Sequence, residues 1–242
     1  MMKFKVQQLL ILFSVVIISC TTSKSKVENG EKPNFLIVTF EDASPYGISA
    51  YVTKDVNTSH LDAFAKKGIL YTNASSSAPH CSPARSTSIT GAFAATFGMD
   101  ANREYCVTPT DIFYPEVLRA NGYFCSNNTK KDYNTVVDNN TMWDECGSQA
   151  SYWSDKRKVD QPFFAVFNTT ATYMGRMLTV TTDGRWLYKD LNIDPAKITI
   201  PNYMLDLPAI RSDLAVHLES YIVVDKWFTG FFRRFRSKRV NG

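Results

Sequence analysis

The chain has 242 residues, room for one large domain or two small ones, and at 44% hydrophobic and 13% aromatic it can bury a sizeable core. Its formal net charge is only +4, and five cations (Arg233, Arg234, Arg236, Lys238 and Arg239) fall in the last ten positions, so the remainder is close to neutral. That distribution argues against a nucleic-acid surface spread over the fold, and no nucleic-acid partner is expected.

The first segment reads as an address rather than as fold. Lys3 and Lys5 precede an apolar run from Leu9 to Ile18, and Ile17-Ile18-Ser19-Cys20 follows in the manner of a bacterial lipobox. The run is too short to span a bilayer comfortably. The expectation is a signal peptide over residues 1–19, cleaved before Cys20, whose thiol takes a lipid. The chain would then be exported and anchored to a membrane, in the periplasm or at the cell surface. A plain signal peptide or a short anchor is the alternative. Residues 20–32 are polar and read as a tether, which leaves 33–242 for the folded domain.

Phe35-Leu36-Ile37-Val38-Thr39-Phe40 is a short apolar run, the pattern of a strand buried on both faces of a parallel sheet. Glu41 and Asp42 follow at its carboxyl end, where open α/β sheets place their ligands. Adjacent carboxylates repel, so the pair reads either as ligands for a hard divalent cation or as a solvated acidic turn. Ser59 with Asp62 makes a capping box for a helix that uses Leu61, Phe64 and Ala65 and ends at Gly68. Ile69-Leu70-Tyr71 is expected as a short strand.

The stretch from Ala78 to Gly91 centres on Cys81-x-Pro83-x-Arg85. Ser82 is a good N-cap, Pro83 suits a first helical turn, and Gly91 suits the position past the end. A nucleophile there would face the unsatisfied N–H groups and positive pole of a helix, where an anion is favoured. Arg85 adds a planar, permanently charged fork for sulfate or phosphate oxygens. A buried cysteine beside an ordinary helix would give the same short motif.

Asp111 can cap a helix from Tyr114 to Ala120, stopped by Asn121-Gly122. Tyr123-Phe124-Cys125 reads as the next parallel strand, followed by the polar group Ser126 to Asn134. A lysine there neutralises an anion's oxygen or a leaving alkoxide. Phe163 to Phe167 reads as a third buried strand, with Thr170 to Arg176 after it. From Arg211 to about Phe232, Leu214, Leu218, Tyr221, Ile222, Asp225 and Phe228 recur at helical spacing. His217 lies in that pattern and reads as a packing or surface histidine. Cys106, Cys125 and Cys146 are an odd number with no C-x-x-C pair, so no zinc site is expected. Free thiols are the default, and one disulfide stays open.

From Pro33 to about Val224 the chain resembles the sulfatase family of the alkaline-phosphatase-like superfamily. Cys81, Pro83, Arg85, Thr90 and Gly91 match the family signature, and Leu61 to Ala74 is also similar to sulfatase sequence; His80 and Ser88 depart from it. The resemblance implies an α/β fold with a mostly parallel sheet and helices on both faces. It implies a formylglycine made from Cys81 by a formylglycine-generating enzyme, whose hydrated form attacks the sulfur of a sulfate ester. It implies Ca2+ (or Mg2+) held by Glu41, Asp42 and the residue at Cys81, with Glu41 in place of the commoner aspartate. Lys130 matches the family's lysine, while Asp132 stands where many relatives have histidine. Tyr173 stands where relatives usually place a histidine, and an unperturbed tyrosine, with a pKa near 10, is a poor acid at neutral pH. The catalytic set carried over is therefore Cys81, Arg85, Lys130 and Tyr173.

Sulfatases run to roughly twice this length, with a later Asp-Asn or Asp-His metal pair, a further lysine and a C-terminal subdomain. The resemblance thus covers the N-terminal half, and weak activity or none is expected of this stretch by itself. The implied substrate is a sulfated saccharide. A non-catalytic relative that binds sulfated sugar and a phosphoryl or phosphonate ester hydrolase are the competing readings.

Overall fold

The computed structural model describes residues 32–51, 53–175, 191 and 193–239. The expected signal segment, Cys20, the tether up to residue 31 and Arg176 lie outside the described residues. All elements below belong to the unit Pro33–Gly242, one of two into which the chain divides.

In chain order they are β1 (Phe35–Phe40), α1 (Ser59–Ala65), α2 (Cys81–Thr90), α3 (Tyr114–Ala120), β2 (Phe124–Asn127), α4 (Asn139–Met142), β3 (Glu145–Cys146), β4 (Phe163–Thr169) and α5 (Pro208–Arg239). The four strands form one sheet in the order β1-β4-β2-β3, and every pairing is parallel. Phe35 stands opposite Phe164 and Phe40 opposite Thr169, while Phe124 stands opposite Phe163. All the strands therefore point their carboxyl ends the same way.

β4 is central, and six of its seven residues are buried. That is why its apolar residues run without alternation: each face of a covered parallel sheet needs its own layer. On one face Phe164 and Val166 pack with Ile89 of α2, Phe113, Met142 and Trp143. On the other, Phe163, Ala165 and Phe167 meet Tyr152, Trp153 and, from α5, Phe231 and Phe235. Helices thus cover both faces, as the resemblance implied.

Several expectations change on contact with the structure. Ile69-Leu70-Tyr71 is no strand; the three side chains are exposed, and no described strand lies alongside to take their backbone hydrogen bonds. β2 begins one residue later than Tyr123 and continues through Ser126 and Asn127, whose backbones pair with Ala165 and Val166. Ser82 is not the N-cap of α2, which is His80. Its buried hydroxyl instead donates to Asn102 Oδ1 (2.9 Å) and accepts from the Arg103 N–H (2.8 Å), tying the helix start to a loop.

α3 takes Phe113 as its N-cap, not Asp111, and the last change is at α1. Its N-cap is Thr58, not Ser59. Its first free N–H groups, on His60 and Leu61, are taken by the buried Asp225 carboxylate of α5 at 3.1 and 2.8 Å. α2 ends as read: Gly91 caps it at φ +70°, a left-handed position that costs glycine little.

Candidate active site

Three strand ends and one helix start make the site. β1 runs out at Phe40, and Glu41 follows with its side chain turned in, 6% exposed. Glu41 Oε1 accepts from Asn168 Nδ2 near the end of β4 (2.8 Å), and Oε2 pairs with Lys130 Nζ. Arg85 Nη1 lies 3.8 Å from Oε1. Burial by itself would push this carboxyl up. Lys130, Asn168 and Arg85 together outweigh it and hold the group below the ordinary carboxylate range.

Asp42 turns the chain with φ +43°, an uncommon conformation for a residue with a side chain. Its Oδ2 accepts from the Met174 N–H (2.8 Å), and its Oδ1 lies 4.0 Å from Cys81 Sγ. Cys81 is the first residue of α2 and is a free thiol. Burial raises its pKa, Glu41 and Asp42 add to that, and Lys130 opposes it. The unmodified sulfur is thus a poor thiolate, and the site does not resemble one that activates a cysteine as such.

Arg85, one turn into α2, is held rigidly. Its Nε donates to the Lys131 carbonyl (2.7 Å), one Nη to the Lys130 carbonyl (2.6 Å), and its guanidinium lies 5.3 Å from the Tyr133 ring centroid. Lys130 follows β2 by three residues. Burial would lower its pKa, but Glu41 and then Cys81 raise it, so it stays an ammonium. Its Nζ lies 3.6 Å from Asp132 Oδ2 and 5.4 Å from the Tyr173 ring centroid. Tyr173 lies beside Lys130 and interacts with Arg103, a residue without any motif that would have marked it. Arg103 in turn lies 3.6 Å from Asp132.

The structure therefore brings together Glu41, Asp42, Cys81, Arg85, Lys130 and Tyr173, drawn from positions spread over more than half the chain. A cavity of about 580 Å³ opens there, lined by the polar Glu41, Asp42, Cys81 and Arg85 and by the apolar Ile37, Ile89 and Val166. Asn168 was legible only as the end of a strand; its role on Glu41 appears only once β1 and β4 are paired.

One oxygen each of Glu41 and Asp42 and the Cys81 sulfur lie within 4.8 Å of one another, so a single cation could touch all three. Two carboxylates suit a hard divalent ion, but calcium prefers six to eight oxygens, about twice or more what this trio supplies. Glu41 also already satisfies Lys130 and Asn168. The donor set fits such an ion in kind and would share it with other ligands.

The family model described as Sulfatase matches residues 33–179. An ulvan-active sulfatase from Formosa agariphila is 33% identical over 186 residues, 67% of this chain and 30% of that protein. The chain thus spans about a third of the length of that relative. Among solved structures, the putative sulfatase yidJ from Bacteroides fragilis superposes with a TM-score of 0.58 at 18% identity, covering 88% of this chain and 60% of that one. The structure of Ps i-CgsB in complex with k-i-k-neocarrahexaose gives a TM-score of 0.58 at 14% identity, over 86% of this chain and 56% of that one. Those two likenesses establish the fold. With the family model covering most of residues 33–242 and all of the site described above, the chain belongs to the sulfatase family.

Proposed function

We propose that this chain carries the nucleophile half of a sulfuric ester hydrolase, with Cys81 as the position that becomes formylglycine. The observation that carries the reading is the seating of Cys81 at a helix start, beside the Lys130 ammonium and in one cavity with the clamped Arg85 guanidinium. A thiol with a raised pKa gains nothing from that setting; a tetrahedral anion does.

The aldehyde made from Cys81 would, as its hydrate, supply the oxygen that attacks sulfur. Calcium or magnesium held by Glu41, Asp42 and residue 81 would withdraw charge from the sulfate oxygens. The rest is the work of residues present in the chain. Arg85, tied to two backbone carbonyls, leaves Nη1 on the Glu41 side of the cavity that Cys81 also lines, where it would meet an oxygen of a sulfate held there. Lys130 lies between Glu41 and Cys81 and stabilises negative charge on the leaving oxygen. Tyr173 stands where relatives usually place a histidine, and because a phenol is a weaker acid than an imidazolium, departure of poor leaving groups is slow.

The substrate we infer is a sulfated saccharide. Support comes from the relative named for ulvan and the like-folded protein solved with a neocarrahexaose. The full chain, made with a formylglycine-generating enzyme and calcium, should release sulfate from an aryl sulfate more readily than from a sulfated sugar, because a phenolate leaves without an acid. Release should vanish in Cys81→Ala. Release that persists in Cys81→Ala, or a preference for phosphate esters, would overturn the reading.

A further inference from the structure

The segment that carries Glu41 and Asp42 is gripped from a place far away in sequence. Tyr221 is fully buried on α5, and its hydroxyl meets both backbone groups of Ser44. It accepts from the Ser44 N–H (2.8 Å) and donates to the Ser44 carbonyl (3.2 Å). A single hydroxyl on both groups of one residue fixes the peptide planes on either side of it. The ring of Tyr221 lies flat against Gly47, at the end of the 3-10 turn Pro45–Gly47, where any Cβ would collide with it. His217, one helical turn earlier, packs edge-on against that ring with centroids 5.1 Å apart.

Asp42 needs such help. Its left-handed φ is unfavourable for a side-chain residue and persists only where the surroundings over-determine it. On the β1 side, the Glu41 carbonyl is held by the Thr172 hydroxyl, and the Asp42 carboxylate by the Met174 N–H. On the other side, two residues on, the hold is Tyr221. We propose that Tyr221 is a positioning residue: its grip on Ser44 fixes the backbone turn that aims the Asp42 carboxylate at Cys81. The inference rests on the reading of Asp42 as a cation ligand. It goes beyond that reading by assigning α5, read from sequence as packing only, a part in building the site.

The test compares two variants of the full chain. Tyr221→Phe keeps the ring on Gly47 and removes only the hydroxyl. Leu218→Ala opens the same buried cluster without touching Ser44. Hydrogen exchange at the Ser44 amide and calcium affinity by calorimetry are read in both, alongside the urea midpoint. Tyr221→Phe should expose the Ser44 amide and weaken calcium binding about tenfold, the usual effect of losing an outer support of a metal ligand. Leu218→Ala should lower the urea midpoint more, yet leave exchange and affinity within twofold of the parent. Unchanged Ser44 exchange or unchanged affinity in Tyr221→Phe would overturn the proposal. So would equal losses of affinity in both variants, which mark general loosening. If the parent chain takes up no calcium, the cation reading fails by itself, and the exchange comparison alone supports or overturns the grip.

Discussion

Lys130 and Glu41, 89 residues apart in sequence, form an ion pair with both side chains largely withdrawn from water, 14% and 6% exposed. The pair joins the loop after β2 to the loop after β1, across β4, and it lies beside Cys81. Each member stabilises the charge of the other, and Arg85 and Asn168 share the carboxylate.

Removing the cation should therefore be costly even without any substrate. Lys130→Met leaves Glu41 buried with Arg85 at 3.8 Å and Asn168 as its remaining partners. We expect a loss of about 3 kcal/mol in urea unfolding, the lower end for breaking a buried pair, because those two partners stay. A loss under about 0.5 kcal/mol, the scale of an exposed pair, would contradict the burial of this one.

The same pair sets a pH dependence with a definite sign. The native Glu41 carboxyl lies below its ordinary value of 4.5, so the unfolded chain binds the proton more readily. Its stabilisation is then complete above the unfolded value and is lost as pH falls through the native one. In Lys130→Met, burial is opposed only by Asn168 and Arg85, and the carboxyl moves up. The stability gap between parent and variant should be small below the native Glu41 value, widen as the carboxylate ionises, and level off once the carboxyl is ionised in the variant as well. Urea titrations of calcium-free protein across that range measure it. A gap that shrinks as pH rises would mean Glu41 is not the partner that matters.

Asp225 offers a test of long-range helix capping. Its carboxylate accepts from the His60 and Leu61 N–H groups and lies 2.6 Å from His60 Nδ1. Asp225→Ala should cost about 2 kcal/mol, since two helix-start donors lose their shared acceptor. Asp225→Asn keeps one acceptor oxygen and should cost less. Equal costs for the two would show that charge, not the acceptor geometry, is what α1 requires.

These relationships also mark where sequence reading stops. β4 could be read because a strand covered on both faces is apolar throughout, β1 by the same composition although its residues are only half-buried or exposed, and the ends of α3 and α2 because Gly122 and Gly91 stop them at positive φ. Cys81, Arg85, Glu41, Asp42 and Lys130 could be named because each falls at the end of an element or in a motif. The cap of α1 could not, because its acceptor comes from a residue 165 positions away. β3 is two residues long and exists only by pairing with Ser126 and Asn127. Ile69-Leu70-Tyr71 has the composition of a strand, but pairing is a property of two segments, and none of the described ones supplies the second. Tyr221 showed only as one apolar position in a helical stripe; nothing local announces a hydroxyl aimed at Ser44.

The central claim is that Cys81 is a precursor rather than the working nucleophile. Mass spectrometry of the peptide that contains Cys81, from chain produced with a formylglycine-generating enzyme, addresses it directly. The account predicts an aldehyde in place of the thiol at residue 81, with Cys106, Cys125 and Cys146 still reduced. An intact thiol at Cys81 under conditions that convert a known sulfatase alongside it would contradict the account.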